Sequence, residues 1–317
     1  MYPFRMLLSR DELIRHAPGR PSAVTLGVFD GVHLGHRHLI EGLKARAGAR
    51  GLASGIVTLH PSPVQVLRPQ IRVAYITSLE ERVELLRATG VDFVAPLTFT
   101  SEVAELSAYD FVAMLRGALD MRYLLMGPDN AFGRGREGTP ARVAEIAEEL
   151  GFELEVLDEP LDADGGRVSA TAIRRAIGAG EMEQAAALLG RPVSLRGPVV
   201  RGAERGRTIG FPTANMAITP DRVLPAFGVY VTRAHVAGGT YMGATNVGIK
   251  PTFDAERPSI ETYLLDFEGD LYGRELRIEL LRRLRGEAKF DGREALTAAI
   301  RADIDAVRAY FAQRPNL

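Results

Sequence analysis

The chain has 317 residues, of which 46% are apolar and 25% are charged, and its formal net charge is −1. This near balance of charge excludes a bulk electrostatic attraction to nucleic acid or anionic lipid, so a bound anion has to be held by local groups. Because the sequence contains no cysteine, it also excludes disulfides, thiolate metal sites and cysteine nucleophiles.

The first half of the chain alternates short apolar runs, typical of buried strands, with amphipathic runs, typical of helices. One helix begins with Ser78 and Glu81 in the spacing of a capping box. Strands alternating with helices of this length favour an α/β domain with a doubly wound parallel sheet. The predicted elements, in chain order, are strand 23–29, helix 36–51, strand 54–59, helix 78–90, strand 91–99, helix 109–119, strand 121–127, helix 140–150, strand 152–160 and helix 169–180.

The second half has a different pattern. Its apolar-alternating runs follow one another across glycine and proline turns with no helix between them, which is typical of an antiparallel sheet or a small barrel. One long amphipathic helix is predicted over 291–313. Because the pattern changes near residue 187, we predict two domains, 1–186 and 187–317. The runs predicted as strands are 194–202, 228–238, 240–248, 260–267 and 275–284.

A glycine-rich turn with two histidines, GVFDGVHLGH (27–36), joins the first strand to the first helix. Such a turn exposes backbone N–H groups and the positive end of a helix dipole, which together favour an anion. We expect His33 and His36 to face that anion, and Gly35 to let a phosphate approach the backbone. The alternative is a strand-to-helix turn with incidental capping histidines. So many glycines and polar residues in one stretch favour a site for nucleotidyl transfer.

Three further segments of the first half carry polar chemistry. The loop MGPDNAFGRGREGT (126–139) either closes on a ligand or is a mobile lid. The segment RVSATAIRR (167–175) places hydroxyls and arginines at a helix start, which suits a polyphosphate. Ser169 is equally explained as a helix cap. His60, in HPSP (60–63), is either a functional residue or part of a prolyl turn.

The most specific segment of the second half is RGAERGRTIGFPTANM (201–216). Alternate residues of an extended chain point the same way, so Thr213 and Asn215 can share one hard cation such as Mg²⁺. The alternative is a turn with a buried, hydrogen-bonded threonine and asparagine. Glu261 lies within an otherwise apolar strand, where it either acts as general base for an alcohol or belongs to a solvated face.

These segments, in this order, resemble the bacterial bifunctional riboflavin kinase/FMN adenylyltransferase family, over nearly the whole chain. The resemblance implies a nucleotidyltransferase-type sheet domain, then a small antiparallel β-barrel kinase domain with a C-terminal helix. It also implies that riboflavin takes the γ-phosphoryl group of ATP to give FMN. FMN then attacks the α-phosphorus of a second ATP to give FAD and pyrophosphate. The motifs that carry the resemblance are GVFDGVHLGH, MGPDNAFGRGREG, RVSATAIR, GRTIGFPTAN, FGVYV, NVGIKPTF, ETYLLDFEGDLYG and LRGEAKF.

In the adenylyltransferase domain, the resemblance implies that His33 and His36 contact the ATP phosphates and act in catalysis. It places Asp129 and Phe132 in a flavin loop. In both domains together, the residues implied in nucleotide and phosphate binding are Gly27, Asp30, Gly35, Arg167, Ser169, Thr171, Arg174, Gly206 and Arg207.

In the kinase domain, the resemblance implies that Thr213 and Asn215 hold Mg²⁺ with ATP and that Glu261 takes the proton of the ribityl 5′-hydroxyl. We therefore expect Mg²⁺ as cofactor, ATP, riboflavin and FMN as substrates, and no nucleic-acid or membrane partner. No apolar run approaches about 18 residues, and the start of the chain lacks the pattern of a secretion signal. We expect a cytoplasmic monomer or weak homo-oligomer.

Three places in the first half depart from the family pattern. Leu59, His60 and Ser62 stand where the family tends to have an aromatic, a variable residue and a histidine. Asn130 replaces an aromatic residue, and Ala170 replaces a serine whose phosphate contact is worth about 0.5–1.5 kcal/mol. Two alternatives remain open. One is a riboflavin kinase with a weakened or diverged nucleotidyltransferase domain, and the other is a flavin-binding protein without turnover.

Overall fold

A computed structural model of the chain describes residues 4–157, 162–163, 166–202, 206, 209–251 and 256–315. The chain divides into two compact units, Met1–Ala170 and Thr171–Leu317. The boundary predicted after residue 186 lies further along the chain and stays a prediction. Among the described residues, no helix combines the length and the apolar character needed to cross a membrane.

The first unit consists of alternating strands and helices. Its strands are β1 (Ser22–Gly27), β2 (Ala53–His60), β3 (Phe93–Thr98), β4 (Met121–Met126), β5 (Glu153–Val156), β6 (Asp162–Ala163) and β7 (Gly166–Arg167). Its helices are α1 (Phe4–Ile14), α2 (Leu34–Ala49), α3 (Pro63–Leu67), α4 (Leu79–Arg87), α5 (Ser101–Ala104), α6 (Ala108–Leu119) and α7 (Pro140–Leu150), with a 3₁₀ turn at Arg134–Arg136.

Five of these strands form one sheet in the order β3-β2-β1-β4-β5, and every neighbouring pair is parallel. Helices cover both faces: Phe111 of α6 and Val143 of α7 belong to the core on one face, and Ile40 of α2 and Leu86 of α4 to the core on the other. The predicted doubly wound parallel sheet is therefore confirmed. In such a sheet the strand order reverses between β1 and β4, and ligands bind at the carboxyl ends of the strands beside that point.

The second unit begins with two helices and continues as a barrel. Its helices are α8 (Ala170–Ala179), whose first residue ends the first unit, α9 (Met182–Leu189) and α10 (Arg293–Ala312). Its strands are β8 (Val193–Val200), β9 (Ala214–Met216), β10 (Gly228–Val236), β11 (Gly239–Pro251), β12 (Glu256–Leu264) and β13 (Glu275–Arg285). The strands close into an antiparallel barrel in the order β10-β11-β12-β9-β8-β13. The predicted barrel with a terminal helix is confirmed.

The two faces of the barrel strands are distinct. The hydroxyls of Thr232, Thr245 and Thr262 form a hydrogen-bonded chain with spacings of 2.8 and 2.9 Å, and all three residues are fully buried in the interior. Val231, on the outer face, packs with Val307 of α10. Because side chains alternate between the two faces of a strand, the neighbours of the interior threonines point outward.

Candidate active sites

The histidine turn follows β1 and reverses the chain sharply before α2. Phe29, Gly31 and Val32 have φ angles of 52°, 80° and 42°, and φ values of this sign are rare for residues other than glycine. The turn ends at His33, which caps α2 with its side chain. Strained backbone of this kind persists only where the surrounding structure holds it in place.

The two histidines of this turn lie against each other. Their rings are stacked, with centroids 3.6 Å apart and planes at 19°. Nδ1 of His33 accepts from the backbone N–H of His36 at 3.3 Å, so the neutral ring carries its proton on Nε2. His33 is only 6% exposed, whereas His36 is partly exposed. Within the described part of the chain, no hydrogen-bond partner is found for the buried Nδ1 of His36.

Burial, the neighbouring ring of His33 and the charge of Arg82 hold the pKa of His36 well below its usual value of 6.5. Each of these causes disfavours the protonated ring, because a cation is costly to bury and is repelled by a like charge. His36 is therefore neutral at physiological pH. A neutral imidazole can still donate one hydrogen bond, from whichever nitrogen carries the proton.

The carboxylate of Asp30 links the histidine turn to a distant segment of the chain. Its carboxylate is 2% exposed and accepts from the backbone N–H groups of Ile76 and Thr77 at 3.0–3.1 Å, and from the hydroxyl of Thr77 at 3.2 Å. The N–H of Gly31 in turn donates to the same hydroxyl at 3.1 Å. These contacts tie the turn to the segment before α4. The nucleotide-binding role implied for Asp30 stays a prediction.

Two glycines allow close packing around the turn. A Cβ added to Gly35 would lie 3.3 Å from the ring of His33 and 3.5 Å from the carbonyl oxygen of Val168. The residue before Ser169 therefore lies against the histidine turn, as expected if both motifs serve one ligand. A Cβ added to Gly27 would lie 3.2 Å from the ring of Phe29, which itself meets His36 edge-on at 5.0 Å between centroids.

The loop after β4 reaches the same edge of the sheet. The side chain of Asn130 donates to the carbonyl oxygen of Leu26 in β1 at 3.2 Å, so this departure from the family pattern links the two strands at the point of reversal. Asp129 is exposed. Phe132 is 9% exposed and packs in the core against Phe111, 5.4 Å between ring centroids. We therefore expect its ring to anchor the loop, and its contact with flavin stays a prediction.

Four further residues were predicted to bind phosphate in the adenylyltransferase domain, and they fall on both sides of the boundary between the two units. The side chain of Arg167 lies outside the described residues. Ser169 precedes the boundary and is partly exposed, whereas Thr171 and Arg174 lie beyond it, in the first half of α8. Their roles in polyphosphate binding stay predictions.

Another departure from the family pattern lies at Leu59, His60 and Ser62, and the last two of these residues contact Tyr75. The backbone N–H of Ser62 donates to the hydroxyl of Tyr75 at 2.7 Å, and that hydroxyl donates to Gln65 at 2.8 Å. The rings of His60 and Tyr75 are 5.4 Å apart. Ser62 is buried, so it contributes to the packing of this corner.

In the barrel unit, strand register brings three polar residues into one row. Glu261 of β12 lies directly opposite Asn215 of β9 on one side and Asn246 of β11 on the other. The hydroxyl of Thr213 donates to the Glu261 carboxylate at 3.2 Å. Glu261 and Asn246 each lie between buried neighbours in their strands, so both are on the outer face. Asn215 shares that face because it pairs directly with Glu261. The structure thus brings together Thr213, Asn215 and Glu261, as the sequence suggested.

Two glycines of the segment 201–216 approach the side chains of Asn215 and Thr213 closely. A Cβ added to Gly202 would be 2.4–2.6 Å from the side-chain amide of Asn215, which excludes any larger residue without movement. Gly206 accepts from the N–H of Phe211 at 2.9 Å, and a Cβ there would be 3.7 Å from the Thr213 hydroxyl. Arg207 lies outside the described residues.

A cavity of about 480 Å³ is lined in part by Thr213, and its volume is typical of small-molecule sites. Thr213 lines it together with apolar and acidic side chains of the connection from β12 to β13. Its lining residues are Val199, Pro212, Thr213, Ala214, Leu264, Phe267, Glu268, Gly269, Asp270, Leu271 and Tyr272.

Three residues at these sites were not predicted from the sequence: Arg82, Asn246 and Glu287. Oε1 of Glu287 would lie 2.1 Å from a Cβ added to Gly248, so this carboxylate rests on the strand that carries Asn246. Asn246 is part of the motif NVGIKPTF and Glu287 of LRGEAKF, which were the available signals. For Arg82 the signal was its place on the apolar side of an amphipathic helix.

Comparison with known proteins matches one family model to each half of the chain. Residues 189–311 match the family model for riboflavin kinase, and residues 16–172 match that for FAD synthetase. The bifunctional riboflavin kinase/FMN adenylyltransferase of Listeria monocytogenes is 40% identical over 92% of each chain. The chain belongs to this family. The Escherichia coli K12 member is 35% identical, over 94% of this chain and 95% of its own.

Family membership confirms the resemblance seen in the sequence and the two enzyme activities predicted from it, and the two alternatives are not favoured. A crystal structure from Streptococcus pneumoniae has a TM-score of 0.85 and 32% identity, over 93% of this chain and 96% of that one. That protein is described as a macrolide-efflux protein, whereas both family models and the relatives above are named for flavin-converting enzymes.

Proposed function

We propose that the barrel unit phosphorylates riboflavin to FMN with ATP and that the parallel-sheet unit adenylylates FMN to FAD. The observation that carries this assignment is the convergence of Thr213, Asn215 and Glu261 on one face of the barrel. These residues are adjacent only because β9 pairs with β12, and together they offer a base and hard oxygen donors.

In the kinase reaction, Glu261 accepts the proton of the ribityl 5′-hydroxyl as that oxygen attacks the γ-phosphorus of ATP, and ADP leaves. The hydrogen bond from Thr213 at 3.2 Å fixes one carboxylate oxygen, so that the other is oriented for the proton. Positioning and charge stabilisation account for most of phosphoryl-transfer catalysis. The adjoining cavity of about 480 Å³ is a suitable place for the nucleotide.

The donor set of this site fits Mg²⁺. Among the described residues, no group of three His, Asp or Glu side chains is arranged to hold a metal. Mg²⁺ in phosphoryl-transfer sites is held by few protein ligands together with substrate phosphates, so Thr213 and Asn215 would hold it together with the phosphates of ATP. When bound, the ion would neutralise charge on the phosphates.

In the adenylyltransferase reaction, a phosphate oxygen of FMN attacks the α-phosphorus of ATP, and pyrophosphate leaves. His33, with its proton on Nε2, donates toward the phosphates, and the nucleotide provides the hydrogen-bond partner that the buried Nδ1 of His36 lacks among the described residues. Neutral donors aimed at the developing charge lower the barrier. Asp129, which is exposed on the loop after β4, would contact the flavin.

Two assays test the assignment with the full chain. Riboflavin with MgATP should give FMN and ADP, and FMN with MgATP should give FAD and pyrophosphate. Absence of FAD would refute the adenylyltransferase assignment while leaving the kinase standing. We also propose that the protein acts in the cytoplasm as a monomer or weak homo-oligomer.

A further inference from the structure

A buried arginine lies beneath the histidine turn. The side chain of Arg82, near the start of α4, is 0% exposed. Its Nη1 donates to the carbonyl oxygen of Val28 at 2.9 Å and of Leu59 at 3.4 Å. Val28 follows β1 directly and Leu59 lies in the last part of β2. One guanidinium therefore ties together the carboxyl ends of two neighbouring parallel strands.

The charge of Arg82 is fixed in place by its surroundings. Its Nη2 lies 3.8 Å from the carboxylate of Asp30, and its guanidinium carbon lies 5.3 Å from the centre of the Tyr75 ring. A buried charge is tolerated only with such partners, because its desolvation is costly. Since Asp30 also receives the backbone N–H groups of Ile76 and Thr77, a single network holds the turn from three segments.

This network bears directly on the histidine pair. Val28 and Asp30 belong to the same strained turn as His33 and His36, so holding the first two determines where the imidazoles stand. The positive charge is also close enough to His36 to lower the pKa of that ring, after burial and His33. A planar guanidinium suits this place, because its Nη1 reaches two carbonyl oxygens while its Nη2 lies 3.8 Å from the Asp30 carboxylate, whereas a lysine offers a single point charge.

We propose that Arg82 is a positioning residue for adenylyl transfer, whose guanidinium holds the ends of β1 and β2 so that the stacked His33–His36 pair faces the nucleotide. The inference rests on the proposed adenylyltransferase function. A merely structural role makes a different prediction, namely that any loss of activity follows the loss of stability.

The test compares Arg82→Met and Arg82→Lys in the full chain with Leu115→Ala. Leu115 is a fully buried residue of α6, on the opposite face of the sheet, so its truncation destabilises the same unit without removing a contact to the turn. The first measurement is the pKa of His36, followed by NMR titration of its ring C–H signals and assigned with His36→Ala. The second is kcat/KM for both reactions.

In Arg82→Met, the pKa of His36 should rise because a like charge is removed, whereas Arg82→Lys and Leu115→Ala should leave it low. Both Arg82 variants should lose about ten- to a hundredfold in kcat/KM for FAD formation through misplacement of the histidines. Riboflavin phosphorylation by the same preparations should be unchanged.

An unchanged pKa of His36 in Arg82→Met would overturn the proposal. So would a wild-type kcat/KM in Arg82→Lys, or losses no larger than those of Leu115→Ala at equal melting temperature. If Arg82→Met does not fold, the kcat/KM of Arg82→Lys for FAD formation decides between a positioning role and a merely structural role of Arg82. A wild-type chain that makes no FAD would refute the adenylyltransferase function instead, and the titration would still decide whether Arg82 acts on the histidine pair.

Discussion

The two candidate sites are built in opposite ways. The histidine site is made of consecutive residues, but the contacts that support them, from Ile76, Thr77 and Arg82, come from a distant segment. The barrel site is made of Thr213 and Glu261, which lie far apart in the chain and meet through strand pairing. A conspicuous sequence motif therefore does not by itself supply the contacts that hold a site in place.

The difference has an energetic side. Backbone at positive φ costs of order 1–3 kcal/mol for each residue that is not glycine, so the histidine turn depends on its supporting network. The barrel site has no such strain among the residues that carry its chemistry. It depends instead on close contact between glycine backbone and side chains, as at Gly202 and Asn215.

The largest expected effect separates the two reactions. Glu261→Gln should lower riboflavin phosphorylation by about 10²–10⁴-fold, because the amide cannot accept the hydroxyl proton, and FAD formation from supplied FMN should survive. The measurement is the steady-state rate of each reaction. Glu275→Gln is the matched control, since its carboxylate lies at the surface and pairs with Arg196 at 2.7 Å. If both activities fell together, the division of labour between the units would be wrong.

The converse substitution is His36→Ala. It should lower FAD formation by about 10²–10³-fold through loss of a donor at the reacting phosphates, with riboflavin phosphorylation unchanged. His38→Ala, at an exposed position of the same helix, should leave both reactions as they are. Retained FAD synthesis in His36→Ala would contradict the catalytic role of this ring.

A smaller effect is expected where the barrel site depends on glycine. Gly202→Ala forces a methyl group to within 2.4–2.6 Å of the Asn215 amide, so Asn215 has to move. We expect roughly a tenfold loss in kcat/KM for riboflavin phosphorylation, in line with other misplacements of a site residue. In Gly178→Ala, where a Cβ meets no atom within 4 Å, kinetics should match the wild type. Equal kinetics in both variants would show that Asn215 is not needed.

The smallest effect concerns acid stability of the sheet unit, away from either site. Hydrogen bonds from Arg46 and Tyr123 lower the pKa of Glu155 from 4.5 to about 2. Its stabilisation is therefore complete above pH 4.5 and is lost as the pH falls toward 2. Because Glu155 is 36% exposed, solvent screening limits the contribution to about 1 kcal/mol. Urea unfolding of Glu155→Gln between pH 6 and 3 should show a weaker pH dependence; an unchanged slope would contradict this.

Much of the fold follows from local pattern. The helix with the Ser78–Glu81 capping box begins where predicted, and the box is present in full. β1 ends at Gly27 rather than at residue 29, because Phe29 already has positive φ. Four helices, α1, α3, α5 and α9, were not predicted. The second and third have five and four residues, too few to show a helical period.

The sites were less accessible to prediction, for reasons of register and support. Nothing local places Asn246 beside Glu261, since that neighbour depends on how β11 pairs with β12. The partners of Asp30 follow it by 46 and 47 positions, and hydrophobic periodicity carries no information about such contacts. Phe132 stood in a glycine-rich loop, yet it packs in the core, because its loop folds back on α6.

The strand β9 has a consequence for how the kinase responds to temperature. It has three residues and joins β8 to β12, pairing with only two residues of the former and three of the latter. Short seams of this kind open before a domain unfolds as a whole. Since Asn215 lies in the seam and Thr213 directly before it, we expect an opening of the seam to separate the kinase residues before the rest of the barrel unfolds. Loss of phosphorylation on gentle, reversible heating is therefore a reporter of seam opening.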